Sequence, residues 1–190
     1  MQQEPQTRTL ETERLKLKEL TPELWDYVMT NMNDQEMSAY LGWYSPKQIA
    51  TEREKHRLGI TNYRITFINY LMISKESNAV IGKIGYHTWM RQHDRAEIGY
   101  GIDIEAYKNK GYMSEAMKAV LTDGFETLGL NRIEAFLGFE NTPSKKLVEK
   151  FGFVYEGMLR GHYCIDGVHH DSACYGLLRS DYEKMKQTWL

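Results

Sequence analysis

The sequence has little cysteine, almost no net charge and no long apolar run. Its formal charge is −2 over 190 residues, so it offers no overall basic surface and nonspecific nucleic-acid binding is disfavoured. No segment approaches the roughly 18–20 consecutive apolar residues of a membrane span. Residues 1–5 lack the basic start and apolar core of a signal peptide. These absences predict a soluble cytoplasmic protein with no membrane and no nucleic-acid partner.

The two cysteines are predicted to be free thiols. Cys164 and Cys174 lie on either side of Asp166-Gly167, which has the composition of a two-residue hairpin turn. Such a turn pairs Cys164 with His169 and leaves Cys174 out of register for a cross-strand disulfide. The cysteines and histidines also lack the spacing of a zinc site, since the adjacent His169 and His170 would point to opposite faces of a strand. We therefore predict no metal.

Periodicity and cap residues predict elements in the order β-α-α-β-β-β-α-β-α-β-β. The two early helices begin at Thr21-Pro22 and at Ser45-Pro46, and Ser45 has the spacing of a capping box with Gln48. Residues 70–74 and 79–87 are strand-like and predict an antiparallel hairpin. This order predicts an α/β fold, a mixed central sheet with helices on its faces, in one domain over residues 1–190 with a core at about 12–182.

The most informative stretch runs from Glu105 to Ala116, where a predicted strand (96–104) leads into an amphipathic helix that begins near Gly111. The first turn of a helix has unpartnered backbone N–H groups and a partial positive charge, and Gly111 allows close backbone approach, so this junction can bind a pyrophosphate. P-loop spacing is missing, and Ile104 stands where a dinucleotide fingerprint needs glycine. An ordinary glycine turn before a helix is the alternative.

Residues 108–113, Lys-Asn-Lys-Gly-Tyr-Met, resemble the acetyl-CoA pyrophosphate loop of the GNAT superfamily of N-acetyltransferases, Gln/Arg-x-x-Gly-x-Gly/Ala, with Lys108 and Met113 departing from it. Glu97 lies eleven positions before Lys108, as in the family, and residues 141–153 resemble its Asn-x-x-Ser/Ala segment and the helix ending in Gly-Phe. The resemblance covers about residues 12–182. It is closest to the branch that acetylates ribosomal-protein N-termini on serine or alanine, whose pattern includes residues 12–15 and 156–160.

The resemblance implies a GNAT fold, with a mostly antiparallel sheet, a splayed strand pair and helices on both faces. It also implies acetyl-CoA as co-substrate, with the loop backbone around the pyrophosphate and Lys108 or Lys110 adding charge. Gly99 and Gly101 predict a strand bulge, and in the family the pantetheine pairs with the backbone there. The implied cofactor-binding residues are Gly101, Ile102, Asp103, Asn109, Lys110, Gly111, Tyr112, Met113, Ser114 and Asn141.

Two residues are candidates for acid and base catalysis. Amide formation needs a neutral amine, and Glu97 is the predicted base, acting directly or through water, with burial raising its pKa. The alternative is an exposed carboxylate that balances Arg95 or Lys83. Val148 replaces the tyrosine that many GNAT enzymes use to protonate the thiolate, so the resemblance assigns that role to Ser144. The alternative for Ser144 is a helix N-cap or first-turn residue.

Together these patterns predict an acetyl-CoA-dependent N-acetyltransferase that works by direct transfer in a ternary complex, because no activated cysteine is evident. The implied acceptor is a protein N-terminus. A polyamine or aminoglycoside is the alternative, for which Asp34, Glu36 and Glu52 offer carboxylates, and a noncatalytic acyl-CoA-binding domain is a further one. The aromatic stretch 40–44 either lines the acceptor pocket or packs in the core. Formation of a homodimer is left open.

Overall fold

A computed structural model describes residues 3–42, 45–59 and 65–189, so Trp43 and Tyr44 of the aromatic stretch lie outside the described residues. The strands are β1 Thr9–Glu11, β2 Leu15–Leu20, β3 Thr66–Ser74, β4 Val80–Met90, β5 Arg95–Ile102, β6 Arg132–Gly138, β7 Val154–Ile165 and β8 Val168–Leu178. The α-helices are α1 Pro22–Asn31, α2 Asp34–Leu41, α3 Pro46–Leu58, α4 Tyr112–Glu126, α5 Thr142–Lys150 and α6 Arg179–Met185. The predicted order is confirmed, with β1, α2 and α6 added.

All the strands belong to one sheet in the order β1-β2-β3-β4-β5-β6-β8-β7. Neighbouring strands are antiparallel except β5 and β6, which are parallel, so the predicted mixed and mostly antiparallel sheet is confirmed. The β5–β6 pairing extends only over residues 95–97 and 132–134. Beyond Glu97 the two strands separate, which leaves the backbone edge of residues 99–102 open on that side.

The predicted bulge at Gly99 and Gly101 is wrong. β5 pairs with β4 without a register shift from Glu97 to Ile102, and the irregularity lies instead between His87 and Met90. The glycine at position 99 has a different physical reason, because a Cβ built there would lie 2.8 Å from Nδ1 of His87. Position 99 therefore lacks a side chain to make room for the His87 ring.

The sheet separates two apolar cores. Along β3, Ile68, Tyr70 and Met72 belong to the core under α4, whereas Phe67 and Leu71 belong to the core under α1, α2 and α3. Successive side chains of a strand point to opposite faces, so one strand supplies both cores. Helices on both faces are thus confirmed. Glu97 lies between Ala96 and Ile98, which are in the α4 core, so it faces the α1–α3 side.

The early helical region contains three helices instead of the predicted two. Thr21 caps α1 as predicted, because its side chain accepts a hydrogen bond from the Leu24 N–H. The capping box predicted at Ser45 is wrong, since that side chain makes no cap hydrogen bond. The box lies instead at Asn33 and Glu36, which open α2. A short polar helix that follows α1 after two residues has too weak an apolar period to be recognised.

The second half of the chain follows the predictions more closely. Helix α4 begins after Gly111, as expected. Helix α5 begins at Thr142 and not at Ser144, because Asn141 is its N-cap. In the β7–β8 hairpin Cys164 lies opposite His169 and both cysteines are free, as predicted. Among the described residues, no helix is both long enough and apolar enough to cross a membrane.

Candidate active site

A cavity of about 590 Å³ lies where the open edge of β5 meets the loop before α4 and the start of α5. Most of the residues predicted to bind the cofactor line it: Gly101, Ile102, Asn109, Gly111, Tyr112, Met113, Ser114 and Asn141. Asp103 and Lys110 do not. The Asp103 backbone N–H donates to the Ile81 carbonyl, 3.1 Å away, so it is unavailable to a ligand. We call this space the cofactor cavity.

The loop before α4 has the backbone of an anion site. Gly111 is the N-cap residue with a φ of +81°, and no side chain caps the first turn. Asn109 also has a left-handed φ, of +57°, so the chain turns twice within three residues. The first-turn N–H groups therefore point out of the helix without a side-chain acceptor. A pyrophosphate fits such a turn because the N–H groups and the helix dipole both favour negative charge.

Arg14 holds this loop, and its role was missed at the sequence level. Its Nη1 donates to the Lys110 carbonyl at 3.0 Å, and its Nε donates to Glu115 Oε2 at 2.7 Å. The guanidinium also lies 4.3 Å from the ring centroid of Tyr112. Burial raises the pKa of Glu115, but hydrogen bonds from Thr12 and Arg14 outweigh it and hold that pKa below its ordinary value. The signal was present in residues 12–15, which belong to the pattern of the family branch.

The lysines near the loop form contacts that the sequence analysis did not predict. Lys108 lines the cofactor cavity, but its Nζ lies 2.7 Å from Glu105 Oε2. Lys110 is exposed and contributes its carbonyl to Arg14. Lys150 of α5 donates to the Ser114 hydroxyl at 2.8 Å, which brings an unpredicted positive charge to the first turn of α4.

A second cavity, of about 540 Å³, lies between the sheet and helices α1 and α3. We call it the acceptor cavity. Its lining includes His87, Thr88 and Gly99 from β4 and β5, and it shares Tyr100 and Gly101 with the cofactor cavity. The two cavities thus meet at the open edge of β5, where a thioester and an amine could be brought together.

The charges of the acceptor cavity come from a few side chains. Glu52, Lys55 and Lys83 line it, and Lys55 Nζ lies 2.7 Å from Glu52 Oε1. The other carboxylates considered for a polycationic acceptor are used elsewhere. Asp34 pairs with Arg53 at 2.8 Å.

Glu36, the last of those carboxylates, closes the capping box of α2, where it accepts from the Asn33 backbone N–H at 2.8 Å. Glu36 lines a different depression, beside Tyr27 and Tyr40. Tyr40, from the aromatic stretch, thus does not line the acceptor cavity, and its partly buried side chain packs against the core under α1, α2 and α3, in agreement with the core-packing alternative. Of the three carboxylates, Glu52 alone borders the acceptor cavity.

Glu97 is buried next to the acceptor cavity, with 9% of its surface exposed. His87 Nε2 lies 3.0 Å from its Oε1, the Tyr163 hydroxyl donates to the same oxygen at 3.0 Å, and the Thr88 hydroxyl donates to Oε2 at 3.4 Å. Burial raises the pKa of Glu97, but these partners outweigh it and lower the pKa below its ordinary value. The expected upward shift is therefore wrong, because the carboxylate is surrounded by donors.

The surroundings of Glu97 also exclude the alternative interpretation that paired it with Arg95. Arg95 instead forms an ion pair with Glu134 on β6. Two partners of Glu97, His87 and Tyr163, were not predicted. Tyr163 lies on the β7–β8 hairpin, and a register shift between Leu159 and Tyr163 accompanies its approach to the sheet. No local sequence pattern indicates a contact across 66 residues.

Ser144 lies in the first turn of α5, and its half-buried side chain lines the cofactor cavity. Its backbone N–H donates to Asn141 Oδ1 at 3.2 Å, so Asn141 keeps only its amide NH₂ for a ligand. Across the cavity is Tyr100, whose buried hydroxyl has no hydrogen-bond partner among the described residues. Burial raises the pKa of Tyr100, and the nearby Ser144 hydroxyl opposes this shift. Tyr100 was not predicted as a site residue.

The comparison with protein families identifies the class. Residues 14–154 match the acetyltransferase (GNAT) domain, so the chain belongs to the GNAT acetyltransferases and transfers an acetyl group. GNAT enzymes use acetyl-CoA as co-substrate, and the uncapped first turn of α4 and the open edge of β5 fit its pyrophosphate and its pantetheine. Among the described residues, no three His, Cys, Asp or Glu side chains are grouped as metal ligands would be.

Individual relatives agree with this class. The chain is 31% identical over 171 residues to the uncharacterized N-acetyltransferase YoaA of Bacillus subtilis (strain 168), covering 90% of this chain and 96% of YoaA. It is 23% identical over 152 residues to the ribosomal-protein-serine acetyltransferase of Escherichia coli (strain K12), covering 78% and 83%. A chimera of the spermidine N-acetyltransferase SpeG from Vibrio cholerae and hSSAT has a TM-score of 0.63 at 22% identity, covering 80% and 94%, which shows a shared fold.

Proposed function

We propose that this protein transfers acetyl from acetyl-CoA to the α-amine of a protein N-terminus, with a ribosomal protein as the acceptor. Transfer is direct, with both substrates bound in the two cavities that meet at Tyr100 and Gly101. A ribosomal acceptor agrees with the cytoplasmic location expected from the sequence. The name of the Escherichia coli relative supports this acceptor class.

The observation that carries the choice of acceptor is the charge of the acceptor cavity. A polyamine or aminoglycoside has several positive charges and needs several carboxylates. Among the described residues that line the cavity, Glu52 is the one carboxylate, and Lys55 already pairs with it. Lys83 adds a further positive charge to the lining. Such a cavity favours an acceptor with a single positive charge, and a peptide N-terminus is one.

The environment of the cysteines supports direct transfer. A ping-pong mechanism needs an activated thiolate near the thioester. Burial, together with Glu156, raises the pKa of Cys174, which makes its thiolate scarce. Cys164 is exposed on the β7–β8 hairpin. Neither cysteine lines the described part of either cavity.

We assign some residues to proton transfer and others to the binding of acetyl-CoA. Glu97 promotes loss of the amine proton from the acceptor side, and Ser144 protonates the departing thiolate from the cofactor side. The backbone of Asn109 to Ser114 binds the pyrophosphate, the edge of Gly101 and Ile102 binds the pantetheine, and the amide NH₂ of Asn141 donates to it. Ser144, Asn141 and most of the loop line the cofactor cavity, and Glu97 contacts His87, which lines the acceptor cavity; these positions support the assignments.

An acetyl-CoA turnover screen tests the acceptor. Ser- and Ala-initiated peptides with ribosomal-protein sequences are compared with spermidine and an aminoglycoside, and free CoA is measured. Each peptide has a matched control with a blocked N-terminus and an intact internal lysine. We expect turnover of the unblocked peptides alone. Turnover confined to the small amines, or equal turnover of the blocked peptides, would contradict the N-terminal acceptor while leaving the acetyltransferase class intact.

A further inference from the structure

The imidazole of His87 stands between the buried Glu97 and the acceptor cavity. Glu97 does not line that cavity in the described part of the chain, whereas His87 does. The side chain of His87 is 46% exposed and that of Glu97 is 11% exposed. An amine in the cavity therefore meets the imidazole before it can reach the carboxylate.

The contact with Glu97 determines which nitrogen of His87 is available. Three side-chain donors surround the Glu97 oxygens, and a glutamate with an ordinary pKa of about 4.3 is ionised at neutral pH, so this carboxylate can only accept hydrogen bonds. Nε2, at 3.0 Å from Oε1, therefore carries the proton and donates a hydrogen bond to Glu97. In the neutral ring Nδ1 then has the lone pair and can accept a proton.

Glycine at position 99 places Nδ1 against the strand that joins the two cavities. A Cβ at this position would lie 2.8 Å from Nδ1 and closer still to Cε1, so the Cε1–Nδ1 edge of the His87 ring occupies the space that a side chain would fill. Gly99 itself lines the acceptor cavity, as do Tyr100 and Gly101, where the cofactor cavity begins. The His87 ring thus packs against the strand that joins the two cavities.

We infer that Nδ1 of His87 is the atom that takes the proton of the acceptor amine, and that Glu97 acts through His87 as a positioning residue. This inference rests on the proposed function and specifies how Glu97 promotes loss of the amine proton. The arrangement has the logic of a carboxylate–histidine pair, in which the carboxylate fixes the tautomer and stabilises the imidazolium. The hydroxyl of Tyr163 and that of Thr88 hold the carboxylate in turn.

The proton and bond changes balance without another reactant. One proton passes from the ammonium group to Nδ1, which leaves a neutral amine and an imidazolium paired with Glu97. The amine lone pair forms the C–N bond to the acetyl carbonyl carbon, and the C–S bond breaks with its electrons on sulfur. The thiolate receives the hydroxyl proton of Ser144. The second proton, which the former amine nitrogen releases, then returns to the Ser144 oxygen. His87 returns its proton to solvent.

The test compares His87→Ala with His87→Gln, using the amine that the acceptor screen shows to be turned over best. Glutamine keeps an N–H donor for Glu97 but has no basic nitrogen. We expect both variants to lose about 10²-fold or more in kcat, as for loss of a general base, with unchanged calorimetric affinity for CoA. Added imidazole should restore the rate of His87→Ala and not that of His87→Gln. His93→Ala, an exposed histidine outside both cavities, is the matched control and should behave as wild type.

Two outcomes would overturn the inference. Near wild-type activity of His87→Gln would show that His87 only holds Glu97, and a His87→Ala enzyme that imidazole does not accelerate would show that no base is missing there. Failure of the proposed acceptor is a separate result. It appears in the wild type as turnover restricted to small amines. The inference about His87 depends instead on the ratio of the variant's kcat to that of wild type, measured with whichever amine reacts.

Discussion

The cofactor side of this molecule is formed mainly by backbone groups, whereas the acceptor side is formed mainly by side chains. The cofactor cavity depends on backbone, namely the left-handed turn at Gly111, the uncapped first turn of α4 and the open edge of β5. The acceptor side depends on side chains that the fold brings together, namely His87 on β4, its neighbour Glu97 on β5, and Tyr163 from the β7–β8 hairpin. Substitutions of side chains on the acceptor side should therefore lower the rate of acetyl transfer. Substitutions on the cofactor side should lower the affinity for CoA only where they change the shape of the backbone.

The largest effect is expected from Glu97→Gln on the acceptor side. Loss of the charge removes the partner of His87, so kcat should fall by about 10²–10⁴-fold, the usual contribution of acid–base catalysis. Calorimetric affinity for CoA should stay unchanged, because Glu97 lies outside the cofactor cavity. Glu140→Gln, an exposed position before α5, makes the same charge change and should keep full activity. Equal activity of both variants would contradict the division between the two sides.

The corresponding change on the cofactor side is Gly111→Val. A Cβ at Gly111 meets only Arg14 Nη2, at 3.4 Å, so the damage comes from a φ of +81° and from blocked approach of the ligand. Strain of about 1–3 kcal/mol would shift the loop and weaken CoA binding about 10- to 100-fold. Gly129→Val is the matched control, since Gly129 has a φ of +74° and lies in open space after α4. An equal loss of affinity in both variants would mean that the loop is not the binding site.

A smaller effect is expected when Arg14 is replaced. Arg14 holds the loop through the Lys110 carbonyl and Glu115, so Arg14→Ala should weaken CoA binding about tenfold, the value of one or two charge-assisted hydrogen bonds. The Arg14→Lys variant distinguishes the contribution of the guanidinium geometry from that of the positive charge. Lysine keeps the charge but lacks the planar donor fork, so it should lose as much affinity as alanine. Full affinity of Arg14→Lys in calorimetry would show that charge alone matters.

Tyr100→Phe should stabilise the protein. In the part of the chain that the structure describes, its buried hydroxyl has no hydrogen-bond partner, and removing such a group relieves an unmet hydrogen bond, so the free energy of unfolding should rise by about 1 kcal/mol. The acetyl-transfer rate should fall, because the hydroxyl lies where the two cavities meet. Tyr86→Phe is the control of opposite sign, since the Tyr86 hydroxyl donates to the Val120 carbonyl at 2.8 Å. Urea unfolding that ranks both variants below wild type would contradict this.

The smallest effect is expected on the pH dependence of stability, through Glu115. The pKa of Glu115 is lowered in the folded state, so its contribution to stability is present above about pH 4.3 and is lost as the pH falls through the lowered pKa. Wild type should therefore exceed Glu115→Gln in the free energy of unfolding at pH 7, by at most about 1 kcal/mol for a partly exposed group. The difference should shrink in urea titrations below pH 4. A constant difference would show that the ion pair with Arg14 is not its source.

The same contrast explains how far the sequence alone could lead. The loop and α4 were predicted because a glycine before an amphipathic helix is a local signal, and the splayed strands followed from the family resemblance. The bulge at Gly99 was wrong because a glycine can also make room for a neighbouring side chain, here His87. His87 and Tyr163 were missed because their contacts with Glu97 depend on strand register and on a hairpin 66 residues away. Local pattern carries no information about either.

Initial-rate kinetics test the central claim, that the two cavities meet and hold both substrates at once. The acetyl-CoA concentration is varied at several fixed concentrations of the best acceptor, and double-reciprocal plots are compared. The account predicts lines that intersect, with no acetyl label retained on the protein. Parallel lines, together with acetyl recovered on Cys164 or Cys174, would contradict it.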